Sequence, residues 1–230
     1  MDLNLKPVAQ RALELIEPGS VVGLGTGRAA TGFLEALAEK ARSGFPVSGV
    51  PTSQATAERA QQLGILLVSP MEIDEVDITV DGADEVDPRL NLIKGLGGAL
   101  VREKIVAAAS KKFVILVDAR KCVRAIGEHG VLPVEVIPFG LRLGQRKLAA
   151  MGFASDLRMS GAEAFRTDNG NAVLDCRIPV LSGDLEDLDR RICQIPGVVA
   201  TGLFLGMASV VLVQKTTEVR MYTRETGGDW

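Results

Sequence analysis

Four acidic side chains lie within seven residues, and their crowding is the clearest sign of chemistry in this sequence. The apolar run DITV, which we predict to be a buried strand, is followed by Asp81, Asp84, Glu85 and Asp87. Like charges this close raise one another's pKa and cost folding free energy. A site that handles protons and hydroxyl groups would explain that cost. The alternative is a solvated acidic turn that binds no ligand.

A lysine, a glycine pair and a glutamate follow the acids. Gly97 and Gly98 would let backbone amides approach a ligand closely. Glu103 falls on the first turns of a predicted helix, where it could act as a general base. Magnesium is conceivable because clustered aspartates can hold it, but the spacing does not match an EF-hand. Lys94 would also compete for the same carboxylates, so the pattern favours acid–base chemistry over a metal site.

A second motif is the glycine loop Gly25-Thr26-Gly27, between a predicted strand and a predicted helix. Its amides and the helix N-terminus make a natural phosphate cradle. A dinucleotide site also needs an acid near the end of the second strand, which here reads Gly49-Val50-Pro51-Thr52-Ser53 and has none. Phosphate binding is therefore favoured over dinucleotide binding. A tight turn without a ligand is the remaining alternative.

A third pair, Asp118 and Lys121, also follows a predicted strand. Such a pair is often only a surface ion pair, worth about 0–1 kcal/mol. It becomes a site candidate because Thr52-Ser53, the glycine loop and the acids follow strands in the same way. Carboxyl ends of parallel strands share one edge of a sheet, and ligands bind at that edge.

The elements that must hold these groups form an α/β pattern. Short, wholly aliphatic runs alternate with helical spacings, which predicts a mostly parallel, Rossmann-like sheet covered by helices on both faces. After Lys121 the pattern changes: residues 127–140 suggest a crossover, and two helices with about four strands suggest a small α+β, ferredoxin-like insert. We predict a catalytic domain from 1–126 with 205–230, a lid domain from 127–204, and a frayed tail at Arg224–Trp230.

Composition excludes several classes of function. The formal net charge is −3, and the sequence contains no run of Lys and Arg residues. Both features argue against nucleic-acid and membrane partners. The three cysteines include no CxxC, so a disulfide framework and a zinc site are disfavoured and a reducing cytoplasm is expected. We expect neither a signal peptide nor a membrane span. His129 is the single histidine, which argues against a Ser-His-Asp triad. We interpret it, Met151 and the cysteines as structural or incidental.

Eight motifs together resemble those of one enzyme family. GLGTGRAA, PTSQAT, DGADEVD, LIKGLGGALVREKIVA, VDARK, LPVEVIPFG, TDNGNAVLDC and PGVVATGLF occur in the order and spacing of type A ribose-5-phosphate isomerases, from about Pro18 to Val213. The resemblance implies an aldose–ketose isomerase of the non-oxidative pentose phosphate pathway. It would interconvert ribose 5-phosphate and ribulose 5-phosphate through an enediolate, without metal or cofactor. It further implies a homodimer or homotetramer.

The resemblance also assigns roles to residues. Glu103 matches the base that moves a proton between C1 and C2, and Asp81 the acid associated with ring opening. Asp84 would lie beside the substrate hydroxyls and Lys94 near the developing oxyanion. The implied substrate-binding residues are Thr26, Gly27, Arg28, Ala29, Gly82, Ala83, Gly95, Leu96, Gly97, Gly98, Asp118 and Lys121.

Three positions depart from the family pattern. The usual GTGST loop has Arg28 and Ala29 in place of its last two hydroxyl residues, and arginine can hold phosphate in a bidentate way. Leu96 interrupts the usual KGGGG run, where a positive φ would be costly for leucine. The segment Gln214–Glu218 replaces a glycine-rich turn.

Two other functions fit part of the same residue pattern. A non-catalytic sugar-phosphate sensor on the same fold is possible in principle, since a fold does not determine a function. It is disfavoured because the proposed chemical residues are all retained and no DNA-binding or other output module is evident. A nicotinamide-dependent oxidoreductase is disfavoured because the second strand ends without an acid.

Overall fold

The computed structural model describes residues 5–230 of the chain. Its helices are α1 (Lys6–Leu13), α2 (Arg28–Arg42), α3 (Gln54–Gln62), α4 (Leu100–Ala108), α5 (Leu141–Ala150) and α6 (Leu185–Cys193). Its first eight strands are β1 (Val21–Leu24), β2 (Ser48–Pro51), β3 (Leu66–Leu67), β4 (Val76–Gly82), β5 (Glu85–Val86), β6 (Leu92–Ile93), β7 (Ser110–Asp118) and β8 (Val131–Val136). The others are β9 (Ser155–Leu157), β10 (Met159–Ser160), β11 (Glu163–Ala164), β12 (Ala172–Arg177), β13 (Val198–Thr201), β14 (Leu203–Phe204), β15 (Val210–Lys215) and β16 (Glu218–Thr223).

The main sheet has seven strands in the order β16-β15-β7-β4-β1-β2-β3. All neighbouring strands are parallel except β15 and β16. Alternate residues of β7 pack into different cores: Val114 and Leu116 join α1 and α2, whereas Phe113, Ile115 and Val117 join α4. Both faces are therefore covered, which is why the strands are aliphatic throughout. The α/β prediction is confirmed.

The strand order reverses between β1 and β4. The chain runs outward through β1, β2 and β3 and then returns to place β4 on the other side of β1. In open α/β sheets the crevice at such a reversal, outside the carboxyl ends of the strands, is where ligands bind. The glycine loop after β1 and Asp84, which follows β4, meet at this crevice. The segment after β7 lies beside them, because β7 pairs with β4.

A second sheet is antiparallel, with the order β13-β8-β12-β9, and it carries α5 and α6. This is the strand order of a split βαβ unit of ferredoxin-like type. Its core is aliphatic and includes Leu132, Leu148, Leu174 and Ile192. The division of the chain into domains at 127 and 204 stays our proposal.

One prediction in this unit was wrong. Residues 127–140 were read as a crossover because they contain Gly130, Pro133 and Pro138, yet Val131–Val136 forms β8 between β12 and β13. The Pro133 carbonyl accepts the Gly202 N–H at 2.7 Å. The nitrogen of a strand residue faces the same side as its carbonyl, so the Pro133 nitrogen also faces the side of β13. Residue 133 lies beyond the last β8–β13 pair, Val134 with Thr201, and a missing N–H there breaks no ladder bond.

The carboxyl terminus was predicted to fray, and this too was wrong. Trp230 packs edge to face on Tyr222 with 5.0 Å between ring centroids, and its Nε1 donates to the Val123 carbonyl at 3.0 Å. The Gly228 N–H donates to the Pro88 carbonyl at 2.9 Å. Trp230 therefore anchors the tail, and the polar composition of the neighbouring residues is what led to the prediction of fraying.

The other end of the chain agrees with the sequence in part. The spacing of the apolar residues over 3–16 predicts a helix. The structure has α1 over Lys6–Leu13, and residues 3 and 4 lie outside the described range. Between residues 5 and 230, no helix combines the length and the apolar character that crossing a bilayer requires.

Candidate active site

A cleft of about 220 Å³ opens at the reversal of strand order. Most residues predicted for the site line it: Thr26, Gly27, Arg28, Ala29, Gly82, Ala83, Asp84, Lys94, Gly95, Gly97, Glu103, Asp118 and Lys121. Leu5, Leu116 and Val117 also line the cleft. Sequence reasoning missed these three because an aliphatic side chain carries no chemical signal.

Three predicted residues do not line the cleft. Asp81 is fully buried beneath Lys94. Leu96 turns its side chain to solvent, and Gly98 is buried against Phe165. Any contribution of these residues to chemistry must therefore pass through a neighbour or through backbone atoms.

Lys94 is the centre of the site. Its Nζ lies 2.6 Å from the Gly82 carbonyl, 3.0 Å from Asp81 Oδ2 and 3.2 Å from Glu103 Oε2. Only 3% of its side chain is exposed. Three acceptors match the three donors of an ammonium group. The sequence suggested that Lys94 would compete for the carboxylates, and it lies between two of them.

The backbone at Lys94 is held by the second unit. Its N–H donates to the Gly202 carbonyl at 2.9 Å. Gly202 directly follows Thr201, the last paired residue of β13. A Cβ at residue 202 would lie 2.3 Å from the Lys94 carbonyl, so only glycine permits this approach. No local pattern around Lys94 indicates these contacts.

Asp81 ends β4 and is anchored on both oxygens. Oδ1 accepts the N–H groups of Thr26 at 3.1 Å and Gly82 at 2.7 Å, while Oδ2 pairs with Lys94. A Cβ on Gly25 would lie 2.3 Å from Oδ1, so glycine is needed for the loop to pass this close. Burial raises the pKa of Asp81, although Lys94 and the two amides oppose the effect. Asp81 thus connects the glycine loop to the lysine.

Glu103 lies on the first turn of α4, 95% buried and aimed at Lys94. Burial raises the pKa of Glu103 to about 8; Lys94 acts in the opposite direction and Asp81 adds to the rise. Burial alone would lower the pKa of Lys94, but the charges of Asp81 and Glu103 outweigh it and raise that pKa above its usual value. A carboxyl whose pKa lies near neutral pH is suited to taking up and returning a proton.

Asp84 faces the cleft and holds the glycine turn. Its Oδ2 accepts the Leu96 N–H at 3.0 Å, and its Oδ1 lies 3.8 Å from Lys121 Nζ. The Gly98 N–H closes the turn on the Gly95 carbonyl at 3.0 Å. Positive φ falls on Gly95, at 105°, and on Gly98, at 83°. Leu96, which interrupts the glycine run, lies between these two positions and has no positive φ. It is therefore accommodated without backbone strain.

The expected pairing of Asp118 with Lys121 needs correction. Asp118 accepts the Arg120 backbone N–H at 2.9 Å and pairs with the Arg120 guanidinium, with Nε and Nη2 each 3.0 Å from its oxygens. Arg120 holds the pKa of Asp118 below its usual value. The charged neighbour of Lys121 is instead Asp84. The segment after β7 satisfies its own aspartate locally, which leaves Lys121 on the wall of the cleft.

A group of buried hydroxyls supports the glycine loop. Thr26 Oγ1 lies 2.8 Å from Thr52 Oγ1, 2.9 Å from Ser53 Oγ and 3.2 Å from Thr56 Oγ1. Thr56 also donates to the Gly25 carbonyl at 3.0 Å. Thr52 and Ser53 were noticed as a polar cluster after a strand; Thr56, one turn into α3, was missed. Its spacing of three residues from a helix-capping serine was the available signal.

The N-terminus of α2 opens onto the cleft. Gly27 is its N-cap and offers no side-chain oxygen to the first amides of this 15-residue helix. Such amides attract anions. Arg28 is exposed at the mouth of the cleft, and Ala29 is half-buried behind it. Among residues 5–230, no cluster of three or more His, Cys, Asp and Glu side chains has the arrangement of a metal site.

Known proteins resemble this chain over nearly its whole length. The family model of ribose 5-phosphate isomerase A (phosphoriboisomerase A) matches residues 48–218. Ribose-5-phosphate isomerase A of Gloeobacter violaceus is 50% identical over 226 residues, covering 97% of this chain and 98% of the relative. The structure of ribose 5-phosphate isomerase A from Methanocaldococcus jannaschii matches with a TM-score of 0.90 at 40% identity, covering 95% and 98%. A D-ribose-5-phosphate isomerase in complex with phospho-erythronic acid matches with a TM-score of 0.93 at 37% identity, covering 97% and 100%.

Proposed function

The chain belongs to the ribose 5-phosphate isomerase A family and is an isomerase of ribose 5-phosphate, and from this premise we propose that Glu103 is the base of the reaction. Glu103 takes the proton from C2 of the open-chain aldose while the C1 carbonyl becomes an enediolate oxygen. The C2 hydroxyl then passes its proton to the C1 oxygen, Glu103 returns its proton to C1, and the C2 oxygen becomes the carbonyl of ribulose 5-phosphate. One carboxylate can serve both carbons because the enediolate is planar and the carbons are adjacent.

Lys94 stabilises the negative oxygen of the enediolate. Its ammonium group lies 3.2 Å from Glu103 Oε2, on the wall of the same cleft. When Glu103 takes up a proton it attracts Lys94 less, so the ammonium is released toward the oxygen at the moment that charge develops there. A positive charge that is already positioned in a buried site stabilises developing negative charge more strongly than the same charge would in water.

The two aspartates divide the supporting work. Asp84 faces the cleft and interacts with the sugar hydroxyls, whereas Asp81 acts from behind by holding Lys94 and the Thr26 amide. The family role of Asp81 in ring opening would require substrate to reach a carboxylate that is 0% exposed. The burial of Asp81 therefore favours a positioning role over direct contact with the sugar.

The phosphate binds at the N-terminus of α2. The uncapped amides after Gly27 and the nearby lysine, Lys121, supply donors and positive charge at one end of the cleft. Arg28, at the mouth, takes the place of the hydroxyl residues that the family usually has there. Binding the phosphate at this end directs the reacting carbons toward Glu103.

The observation that carries this proposal is the buried Asp81–Lys94–Glu103 cluster, one face of which opens onto the cleft. Its test is the formation of ribulose 5-phosphate from ribose 5-phosphate by purified protein, in EDTA and without added NAD. Wild type should be active. Glu103→Gln should lose at least about 10²–10⁴-fold in kcat, which is the usual contribution of a positioned acid–base group. A folded Glu103→Gln variant with near wild-type kcat would remove Glu103 from this role.

We also propose that the protein is cytoplasmic and assembles as a homodimer or homotetramer. Cys122, Cys176 and Cys193 are free thiols, in keeping with a reducing compartment. Phe139 is fully exposed and Ile137 half-exposed, and the Ile137 N–H donates to the Gly197 carbonyl at 2.8 Å. Light scattering on the protein as it elutes from a size-exclusion column measures the oligomeric state. A monomer at micromolar concentration would contradict the proposed homodimer or homotetramer.

A further inference from the structure

An arginine of the second unit reaches the glycine turn of the cleft. Arg158 follows β9, and its Nη1 donates to the Gly95 carbonyl at 2.8 Å and to the Leu96 carbonyl at 3.0 Å. Only 12% of its side chain is exposed. Its remaining donors bind Asp175 of β12, with Nε at 2.9 Å from Oδ2 and Nη2 on Oδ1. The guanidinium is thus held on one side by a carboxylate and grips two peptide groups on the other.

A phenylalanine strengthens the same contact. The Phe165 ring lies 5.8 Å from the Arg158 guanidinium carbon, and the Phe165 N–H donates to the Arg158 carbonyl at 2.9 Å. Gly98 has a φ of 83°, and a Cβ there would lie 2.3 Å from Phe165 Cζ. Arg158 and Phe165 therefore hold the two ends of the turn formed by Gly95, Leu96, Gly97 and Gly98.

This turn connects the two groups assigned to the chemistry. Lys94 comes directly before it, and α4 with Glu103 begins directly after it. The Leu96 N–H is used by Asp84, at 3.0 Å. In a trans peptide the N–H points away from the C=O, so a Leu96 carbonyl directed at Arg158 leaves the Gly97 N–H directed the other way. Gly97 lines the cleft, whereas Arg158 does not.

We propose that Arg158 is a positioning residue that orients the Leu96–Gly97 peptide, so that the Gly97 N–H is presented to the enediolate oxygen of the substrate. This inference rests on the proposed function and extends it. Lys94 would supply charge to that oxygen and the Gly97 N–H a fixed hydrogen bond. Such a donor accelerates a reaction because its orientation is set before charge develops. The second unit of the protein would thereby help to build the active site without touching the substrate.

The test compares two arginine-to-methionine variants. Arg158→Met keeps an unbranched apolar stem beside Phe165 and removes the donors to the turn. Arg177→Met is the matched control, since Arg177 pairs with Asp156 across the same strands, β12 and β9, but is 72% exposed and contacts no part of the turn. Circular dichroism and thermal melting establish that both variants fold.

The expected result is a loss confined to the transition state. Removing one fixed donor to an oxyanion typically costs about 10²–10³-fold in kcat, and misorienting one should cost Arg158→Met about 10²-fold. KM for ribose 5-phosphate should stay within about threefold, and Arg177→Met should match wild type. Arg158→Lys, which keeps the charge but not the fork, should recover part of the loss.

Inhibition separates this role from a merely structural one. Phospho-erythronic acid has a planar carboxylate where the reacting carbons of the substrate would lie, so its Ki should rise in proportion to the loss of kcat/KM in Arg158→Met. The Ki of inorganic phosphate should not change. If Arg158→Met does not fold, the same ratio of Ki values measured on Arg158→Lys decides.

Two results would overturn the inference. One is a kcat within about threefold of wild type in folded Arg158→Met, and the other is an equal rise in both Ki values. Neither depends on which residue is the base. An active Glu103→Gln variant would instead contradict the proposed function and leave the inhibitor ratio at Arg158 interpretable.

Discussion

Two buried glutamates, one in each unit of the molecule, have opposite surroundings. Glu103 is 4% exposed and Glu135, on β8, is 0% exposed. Glu135 Oε1 accepts hydrogen bonds from Thr167 Oγ1 at 3.0 Å, Asn169 Nδ2 at 3.1 Å and Asn171 Nδ2 at 2.8 Å. All three donors are neutral. Glu103 instead faces a lysine and a cleft.

The difference shows that burial of a carboxylate does not by itself make an active site. The donors around Glu135 close a turn over residues 167–171, and the turn reaches α4, where Arg102 Nε binds Asn169 Oδ1 at 2.9 Å. That arrangement satisfies one oxygen and excludes substrate. Around Glu103 the partner is the Lys94 ammonium, and the pKa of Glu103 is raised to about 8 beside the cleft. Access to the cleft and a charged partner separate the glutamate that we propose as the base from the structural one.

The test with the largest expected effect shortens Glu103, the proposed base, and removes the charge of Glu135. Glu103→Asp retains a carboxylate but withdraws it by one methylene, and a misplacement of about 1 Å can cost about 10²-fold in rate. We expect kcat to fall by about that factor. Glu135→Gln should keep kcat within about threefold, because its amide oxygen can still accept the three hydrogen bonds.

Steady-state kinetics at 25 °C on both folded variants measures the contrast. A Glu135→Gln enzyme as impaired as Glu103→Asp would show that the two sites are not separate in function. The turn over residues 167–171 would then have to act on the chemistry through Arg102, which directly precedes Glu103.

The second prediction concerns pH. A base must be ionised, so kcat/KM should rise about tenfold per pH unit below the pKa of Glu103, about 8, and level off above it. Initial rates between pH 6.5 and 9.5 measure this, and Glu135→Gln should follow the wild-type profile. A flat profile over that range would mean that the pull of Lys94 on Glu103 outweighs burial.

The smallest expected effect is on stability. The pKa of Glu103 rises from its usual value of 4.5 to about 8 on folding, so between these values the folded protein keeps a proton that the unfolded chain releases. The contribution of Glu103 to the free energy of unfolding therefore falls as pH rises from about 4.5 to 8. Glutamine has no such penalty.

Thermal melting of wild type and Glu103→Gln at pH 5 and pH 9 measures the effect. The advantage of the variant in Tm should be larger at pH 9 than at pH 5. About 1 kcal/mol corresponds to roughly 2–4 °C in a domain of 150–250 residues. Comparing the two proteins at each pH cancels the titration of groups that do not interact with Glu103. An equal advantage at both pH values would contradict a raised pKa.

Prediction from sequence failed where contacts outside the recognised motifs decide the outcome. Pro133 argues locally against a strand, yet β8 forms because the missing N–H falls where β13 has ended. Trp230 lies in a polar tail and still packs on Tyr222. Asp118 was assigned to Lys121, but Arg120, two residues along, can turn back and bind it with three donors. In each case the competing contact lay outside the pattern that was read.

By itself the sequence determined the α/β class, the family and most of the residues that meet at the cleft. It could do so because aliphatic periodicity specifies parallel strands, and short loops after such strands must share one edge of the sheet. Only the tertiary structure decided how those residues divide their work. The burial of Asp81 behind Lys94, the raised pKa of Glu103 and the grip of Arg158 on the glycine turn depend on distance and desolvation. Those quantities depend on how the strand, the glycine turn, the helix and the second unit pack together, and no local pattern encodes them.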